Sequence, residues 1–188
     1  MSENQQTAAP RRKKATLNAK TLTICAMLCA LSIVLARFVI PMPNDFTRFS
    51  IEAIPIFLAG MLFGPIAGGL VGFAADFVGC LFTPFGYNPM FCLPPILYGV
   101  CGGLFGPWLR ERASVPRLAV AFAFPVVFGS VLYQSLTLAF MYGKGETLFL
   151  SWLTFLGTRS IQFAVTYVLD VAIIYFLQKS GIFRAAKL

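Results

Sequence analysis

Arg37, Asp45, Arg48 and Glu52 fall within a single stretch, ARFVIPMPNDFTRFSIE (36 to 52), that separates two long apolar runs. Charged residues make up only 12% of the chain, so two guanidinium groups and two carboxylates this close together need a reason. A guanidinium is a planar fork of N–H donors that meets a carboxylate through two parallel hydrogen bonds, which makes Arg37 and Arg48 suited to an anionic ligand. The neighbouring acids allow a simpler outcome, mutual neutralisation within the loop. Flat and amide side chains lie nearby on the same side of the apolar runs: Phe46, Phe49, Tyr87, Asn88, Tyr133, Gln134, Trp152 and Gln162. Aromatic faces, amides and arginines together fit a planar heteroaromatic ligand that carries carboxylates. Aromatics of this kind also form belts where a membrane meets water.

Arg159 and Asp76 sit inside apolar runs instead of between them. A charge at membrane depth costs on the order of 3 kcal/mol or more and so faces a partner or a cavity. Arg159 lies ~15 Å into the last run by helix rise, and Asp76 reaches similar depth from the opposite side. Two readings stand: the two residues form an ion pair, or Arg159 faces a ligand together with Asn88 and Gln162. Asp170, near the other end of the last run, is expected to be an interfacial or structural acid.

Missing residue types narrow the chemistry further. The chain has no His, no Gly-Lys-Ser/Thr phosphate loop, no nucleophile elbow and no carboxylates paired one helical turn apart. ATP hydrolysis, a metal centre and acyl transfer therefore have nothing to work with, and neither a cofactor nor a nucleic-acid partner is expected. Cys25, Cys29, Cys80, Cys92 and Cys101 lie in apolar runs without metal-binding or redox spacing and read as small core-filling residues.

The elements that must position these groups are membrane helices. The chain has 188 residues, of which 58% are hydrophobic and 20 are Phe, with mean hydropathy +0.78. That composition belongs to a membrane protein. One crossing of a ~30 Å hydrocarbon layer takes roughly 20 helical residues, which leaves space for about six spans and no soluble domain. Hydropathy predicts helices over 21 to 40, 51 to 63, 66 to 82, 91 to 109, 117 to 141 and 149 to 178. The run 51 to 82 is split at Gly64-Pro65, because a single helix of that length would far exceed the bilayer. Six spans place the basic tail (Arg11, Arg12, Lys13, Lys14, Lys20), the loop RERASVPR (Arg110, Arg112, Arg117) and the end (Lys179, Arg184, Lys187) on the cytoplasmic side, as the positive-inside rule requires. The expected organisation is a cytoplasmic tail (1 to 20), a single six-helix transmembrane domain (21 to 180) and a cytoplasmic C-terminal tail (181 to 188).

Small residues recur every four positions: Ala26 and Ala30 in the first helix, Gly60, Gly64, Gly68 and Gly72 across the second and third, and Gly99 with Gly103 in the fourth. In lipid such faces let backbones approach closely. The glycines are expected to pack inside the chain, whereas the spacing of Ala26 and Ala30 does not say whether their partner helix is in this chain or another.

The combination of a basic tail, AMLCALSIVLARF, NDFTRFSIEAIPIFLAGMLFGPIAGGLVGFAADFVG and the later GYNPMF resembles the folate-specific S component of energy-coupling factor (ECF) vitamin transporters, from about residue 20 to 180. The resemblance implies a bundle that binds the vitamin from outside under a closing loop and associates with a transmembrane T component and two ATPase subunits. The bundle then topples in the membrane to release the vitamin inward. It implies that Arg37 and Arg48 form a ligand gate and that Ala26 and Ala30 contact the T component. The expected ligand set is Arg37, Arg48, Phe49, Tyr87, Asn88, Trp152, Arg159 and Gln162, in a multi-pass protein of a bacterial cell membrane. An S component for riboflavin, thiamine, pantothenate or biotin is the nearest alternative. An autonomous secondary transporter with Asp76 as ion site comes next, and a membrane enzyme is the reading with least support.

Overall fold

The computed structural model describes residues 19–36, 40–41, 48–49, 51–82, 87–111, 114–143 and 147–180. Among them are six helices: α1 (Ala19–Leu35), α2 (Ala53–Phe63), α3 (Pro65–Leu81), α4 (Leu93–Glu111), α5 (Val115–Tyr142) and α6 (Leu148–Lys179). A 3₁₀ turn, Pro89–Phe91, leads into α4. The stretches Pro89–Leu109, Val115–Tyr142 and Leu148–Lys179 are long and apolar enough to cross a membrane, while α1, α2 and α3 are apolar but shorter. Residues 1–18 and 181–188, Arg37, Asp45, Phe46, Arg112, Lys144 and Glu146 lie outside the described residues.

The first helix is shorter than the expected 21 to 40. It stops at Leu35, and β1 (Ile40–Pro41) pairs antiparallel with β2 (Arg48–Phe49), Ile40 opposite Phe49 and Pro41 opposite Arg48. Pro41 and Pro43 explain the difference: proline has no N–H to donate and drives the residue before it out of the α region.

Gly64 splits the long second run as expected. Its φ of 100° is open to glycine at little cost, and Pro65 at the first position of α3 needs no N–H partner. The two helices fold back on each other and on α4. A Cβ added at Gly60 or Gly68 would strike the carbonyl oxygen of Gly99, and one added at Gly103 would strike the backbone of Pro65. The glycines thus pack inside the chain, holding α2, α3 and α4 together backbone to backbone.

Aromatic rings fill the centre. Phe122 meets Phe57 edge to face at 5.1 Å, Tyr98 at 5.3 Å and Tyr167 at 6.2 Å between centroids. Outward faces carry exposed apolar residues such as Met27, Ile66, Phe140, Ile161 and Phe176, which suits lipid. Within α5, Pro125 is followed by eight residues, Val126–Tyr133, in a wider π-helical winding. A proline inside a helix removes one ladder hydrogen bond, and a π turn is one way the chain absorbs the defect.

Candidate functional site

The buried face of α6 is mostly polar. Ser151, Arg159, Gln162, Thr166 and Asp170 are buried, with Val171 and Ile174 the apolar exceptions. Positions 159, 162, 166 and 170 advance by three and four, so the four side chains share one face. Burying such groups in an apolar bundle is unfavourable unless they have partners or a use.

Arg159 is only 6% exposed. Its Nη2 donates to Gln134 Oε1 of α5 at 2.9 Å, its Cζ lies 5.1 Å from the Phe163 ring centroid, and its Nε has no hydrogen-bond partner. Deeper in the bundle, the Tyr98 hydroxyl of α4 bonds Ser130 Oγ of α5 at 2.9 Å. That hydroxyl is close enough to Asp170, Glu52 and Arg159 to feel the charge of each. Thr166 Oγ1 donates to the Gln162 carbonyl, and Ser32 Oγ of α1 donates to the Glu52 carbonyl at 2.8 Å, fixing the start of α2. The π winding carries Ser130 and ends at Tyr133, and Gln134 follows it directly, so two polar contacts of α5 with this interior come from the irregular segment and the residue after it.

Arg159 and Asp76 do not pair. The Arg159 hydrogen bond goes to Gln134, while Asp76 Oδ1 accepts from Cys80 Sγ at 4.0 Å and Asp76 Oδ2 has no partner. Similar depth is not proximity: α3 packs chiefly on α1, α2 and α4, whereas α6 packs on α5 and α2. Asp170 is also not interfacial. It is 2% exposed, and its Oδ1 has no hydrogen-bond partner.

Of the other expected site residues, Arg48 and Phe49 form β2, whose backbone lies against α6, the helix that carries Arg159. Trp152 sits two turns from Arg159 on nearly the same face; its Nε1 donates to the Leu132 carbonyl at 3.4 Å. Its ring lines an open apolar groove with Phe128 and Leu136, both exposed, so that groove looks outward from the bundle. Tyr87 packs edge-on against Phe77 of α3 at 5.1 Å. Asn88 caps the 3₁₀ turn through Oδ1, which accepts from Met90 N at 3.0 Å, and its Nδ2 meets Met141 Sδ at 2.9 Å. The structure therefore joins Arg159 to Gln134, buries Gln162 on the same face of α6, and leaves Tyr87 against α3.

Tyr98, Ser130 and Asp170 belong to the polar interior; the first two escaped the sequence reading, and Asp170 was expected there only as an interfacial or structural acid. The spacing of polar residues along 159 to 170 carried the signal for Asp170, and Pro125 carried it for the irregular turn that holds Ser130. On the opposite side of the molecule Ala26 and Ala30 are both exposed on α1, with Met27 between them 67% exposed. The five cysteines are free, and Cys25, Cys92 and Cys101 are buried. Among the described residues no group of three or more Cys, Asp or Glu could hold a metal ion.

A family model described as ECF transporter, substrate-specific component, matches residues 20–178. The folate transporter FolT of Clostridium novyi (strain NT) is 28% identical over 152 residues, covering 80% of this chain and 83% of that protein. A crystal structure of FolT bound with folic acid superposes with a TM-score of 0.70 at 29% identity, covering 85% of this chain and 93% of the other. The S-component for biotin from an ECF-type ABC transporter shares the fold at 21% identity, with a TM-score of 0.60 over 85% and 91% of the two chains.

Proposed function

The chain belongs to the substrate-specific components of ECF transporters, and from that premise we propose that it is the folate-capture subunit of an ATP-driven vitamin importer in a bacterial cell membrane. It binds the vitamin from outside and works with a T component and two ATPase subunits, which hydrolyse the ATP. The observation that carries the ligand site is the buried Arg159, whose guanidinium keeps an unused N–H at Nε while β2 lies against its helix. Folate offers carboxylates for guanidinium groups and a flat ring for aromatic and amide partners, and both kinds of group occur here.

We assign Arg37 and Arg48 to the gate over this interior, Phe49, Trp152, Arg159 and Gln162 to the ligand walls, and Tyr87 and Asn88 to the outer rim. Asn88 additionally holds its own loop in shape through the cap. Ala26 and Ala30 form the face for the T component, a reading supported by their exposure on α1. Both termini lie on the cytoplasmic side, supported by the eleven basic residues of the tails and the α4 to α5 connection. Residues 21 to 180 form one transmembrane domain between a basic tail (1 to 20) and a short C-terminal tail (181 to 188).

The test is a titration of the purified chain in detergent with folate, riboflavin, thiamine and biotin, following fluorescence from Trp108 and Trp152. Saturable binding of folate alone is the expected result. Binding of a different vitamin would keep the family and overturn the ligand.

A further inference from the structure

A second group of reactive side chains lies where α3 meets α4, and the register of the two helices assembles it. They run antiparallel, with Gly68 against the carbonyl of Gly99 and Gly72 against that of Pro95. One turn further along α3 is Asp76, and one turn back along the chain from Pro95 is the segment that holds Cys92. Cys80 stands on the same face of α3 as Asp76, and its Sγ lies 4.0 Å from Asp76 Oδ1. The Cys92 thiol is close enough to interact with the same carboxylate and with the Tyr87 hydroxyl, and the Asn88 N–H points to the Cys80 sulfur. Two thiols thus share one carboxylate, and each sulfur has a hydrogen-bond donor beside it.

Packing does not call for this set. An acid in an apolar bundle is costly, and an alanine or valine in its place would fill α3 without that cost. Among the described residues no group of three Cys, Asp or Glu could hold a metal ion. Adjacent thiols have a further chemistry, oxidation to a disulfide, which starts when the attacking thiol gives up its proton. The buried Oδ2 of Asp76 has no hydrogen-bond partner and can take that proton. Once protonated, Asp76 no longer repels the thiolate it has made, and the Asn88 N–H steadies the charge on Cys80. Cys80 is half-buried in the last turn of α3 and Cys92 is 5% exposed, so a reagent meets Cys80 first.

We propose that Cys80 and Cys92 are a redox-active pair that a small organic disulfide, RSSR, closes into a protein disulfide, with Asp76 as proton acceptor. The Cys80 thiol passes its proton to Asp76 and attacks one sulfur of RSSR; the reagent's S–S bond breaks and RS⁻ leaves. That RS⁻ takes the proton of Cys92, whose thiolate attacks the Cys80 sulfur. The Cys80–Cys92 bond forms, and the second RS⁻ leaves with the proton held by Asp76. The two protein thiols are oxidised and RSSR is reduced to two RSH. The new bond ties the end of α3 to the start of α4 and encloses the connection that carries Tyr87 and Asn88. The pair thereby couples this end of the bundle to the thiol–disulfide balance of the compartment it faces, whatever vitamin is carried.

To test this, the full chain in detergent is treated with oxidised glutathione, and its chymotryptic peptides are mapped by mass without reduction. The expected product is a Cys80–Cys92 link with no glutathione retained on either residue. Asp76→Asn is expected to form the link at least about tenfold more slowly, and Cys92→Ala to stop at a glutathione mixed disulfide on Cys80. Glutathione retained on Cys80 of the parent, or two intact thiols after prolonged treatment, would overturn the pair. An unchanged rate in Asp76→Asn would overturn the role of Asp76. Should that variant fail to fold, Asp76→Ala, which removes the buried acid altogether, carries the same comparison. The map is read without ligand, so its outcome is separate from that of the folate titration.

Discussion

Arg159 of α6 and Gln134 of α5 meet at 2.9 Å, Nη2 to Oε1, immediately beyond the π-helical turn of α5. The amide oxygen takes one donor of the fork and leaves Nε without a partner. Arg159→Lys keeps the charge but loses the fork, so folate affinity is expected to fall by about tenfold or more, measured by titration in detergent. Unchanged affinity would reduce Arg159 to a tie between two helices.

Arg48→Ala is expected to weaken folate binding by more than about tenfold while the chain remains folded, because the residue lies in a two-residue strand outside the helical core. Calorimetric titration beside a thermal melt would check both halves of the statement. A lowered melting temperature with unaltered Kd would place Arg48 in the architecture of the loop only.

Replacing Ala26 or Ala30 by Trp adds bulk to a face that is exposed in the isolated chain. Folate binding by the purified chain should be unaffected, and uptake by the assembled four-part complex should be abolished, since close helix approach needs small residues. Lost ligand binding in either variant would mean that the alanines serve the bundle itself.

Two glycines make a control pair for the packing. Gly99→Val would drive side-chain atoms into the backbone of Gly68 and Gly69, and the expected loss is at least 1 to 3 kcal/mol, on the order of an overpacked core, seen as reduced yield of monodisperse protein. Gly79→Ala meets nothing within 4 Å and should be neutral or stabilising by about 0.5 to 1 kcal/mol.

The chain alone in proteoliposomes should bind folate without accumulating it under a sodium or proton gradient. Asp76 accepts from Cys80 through a 4.0 Å contact and lies on α3, which packs on α1, α2 and α4 and not on the helix that carries Arg159. Gradient-driven uptake of folate would overturn the capture-subunit reading.

Helix number and, apart from the end of α1, the boundaries to within about two residues were legible in the sequence because hydropathy and glycine punctuation act locally. The split at Gly64-Pro65 needed no tertiary information. The end of α1 was misjudged because apolar Phe38, Val39 and Ile40 continue the run, and only the prolines that follow show that the backbone must leave the helix. The Arg159 partner was left open for a different reason. Helix rise gives depth along the membrane normal and nothing about which helices are lateral neighbours, so an ion pair with Asp76 stood beside a ligand-facing role. The interior role of Asp170 was obscured by its distance from the end of the run, although its three-and-four spacing from Thr166, Gln162 and Arg159 was there to be counted.

The backbone seam between α2, α3 and α4 has a thermodynamic corollary. Most packed surfaces freeze side-chain rotamers as they form, an entropy loss that reaches about 1.5 to 2 kcal/mol for the longest side chains. Gly60, Gly68, Gly99 and Gly103 have no rotamers to freeze, so their contacts form without that loss. α2 has only 11 residues, about 16 Å, too little to span the hydrocarbon by itself. Its seat in the bundle thus depends on a joint with almost no internal freedom. When the surrounding lipid changes thickness, α2 is expected to follow its two neighbours as part of one stiff plate.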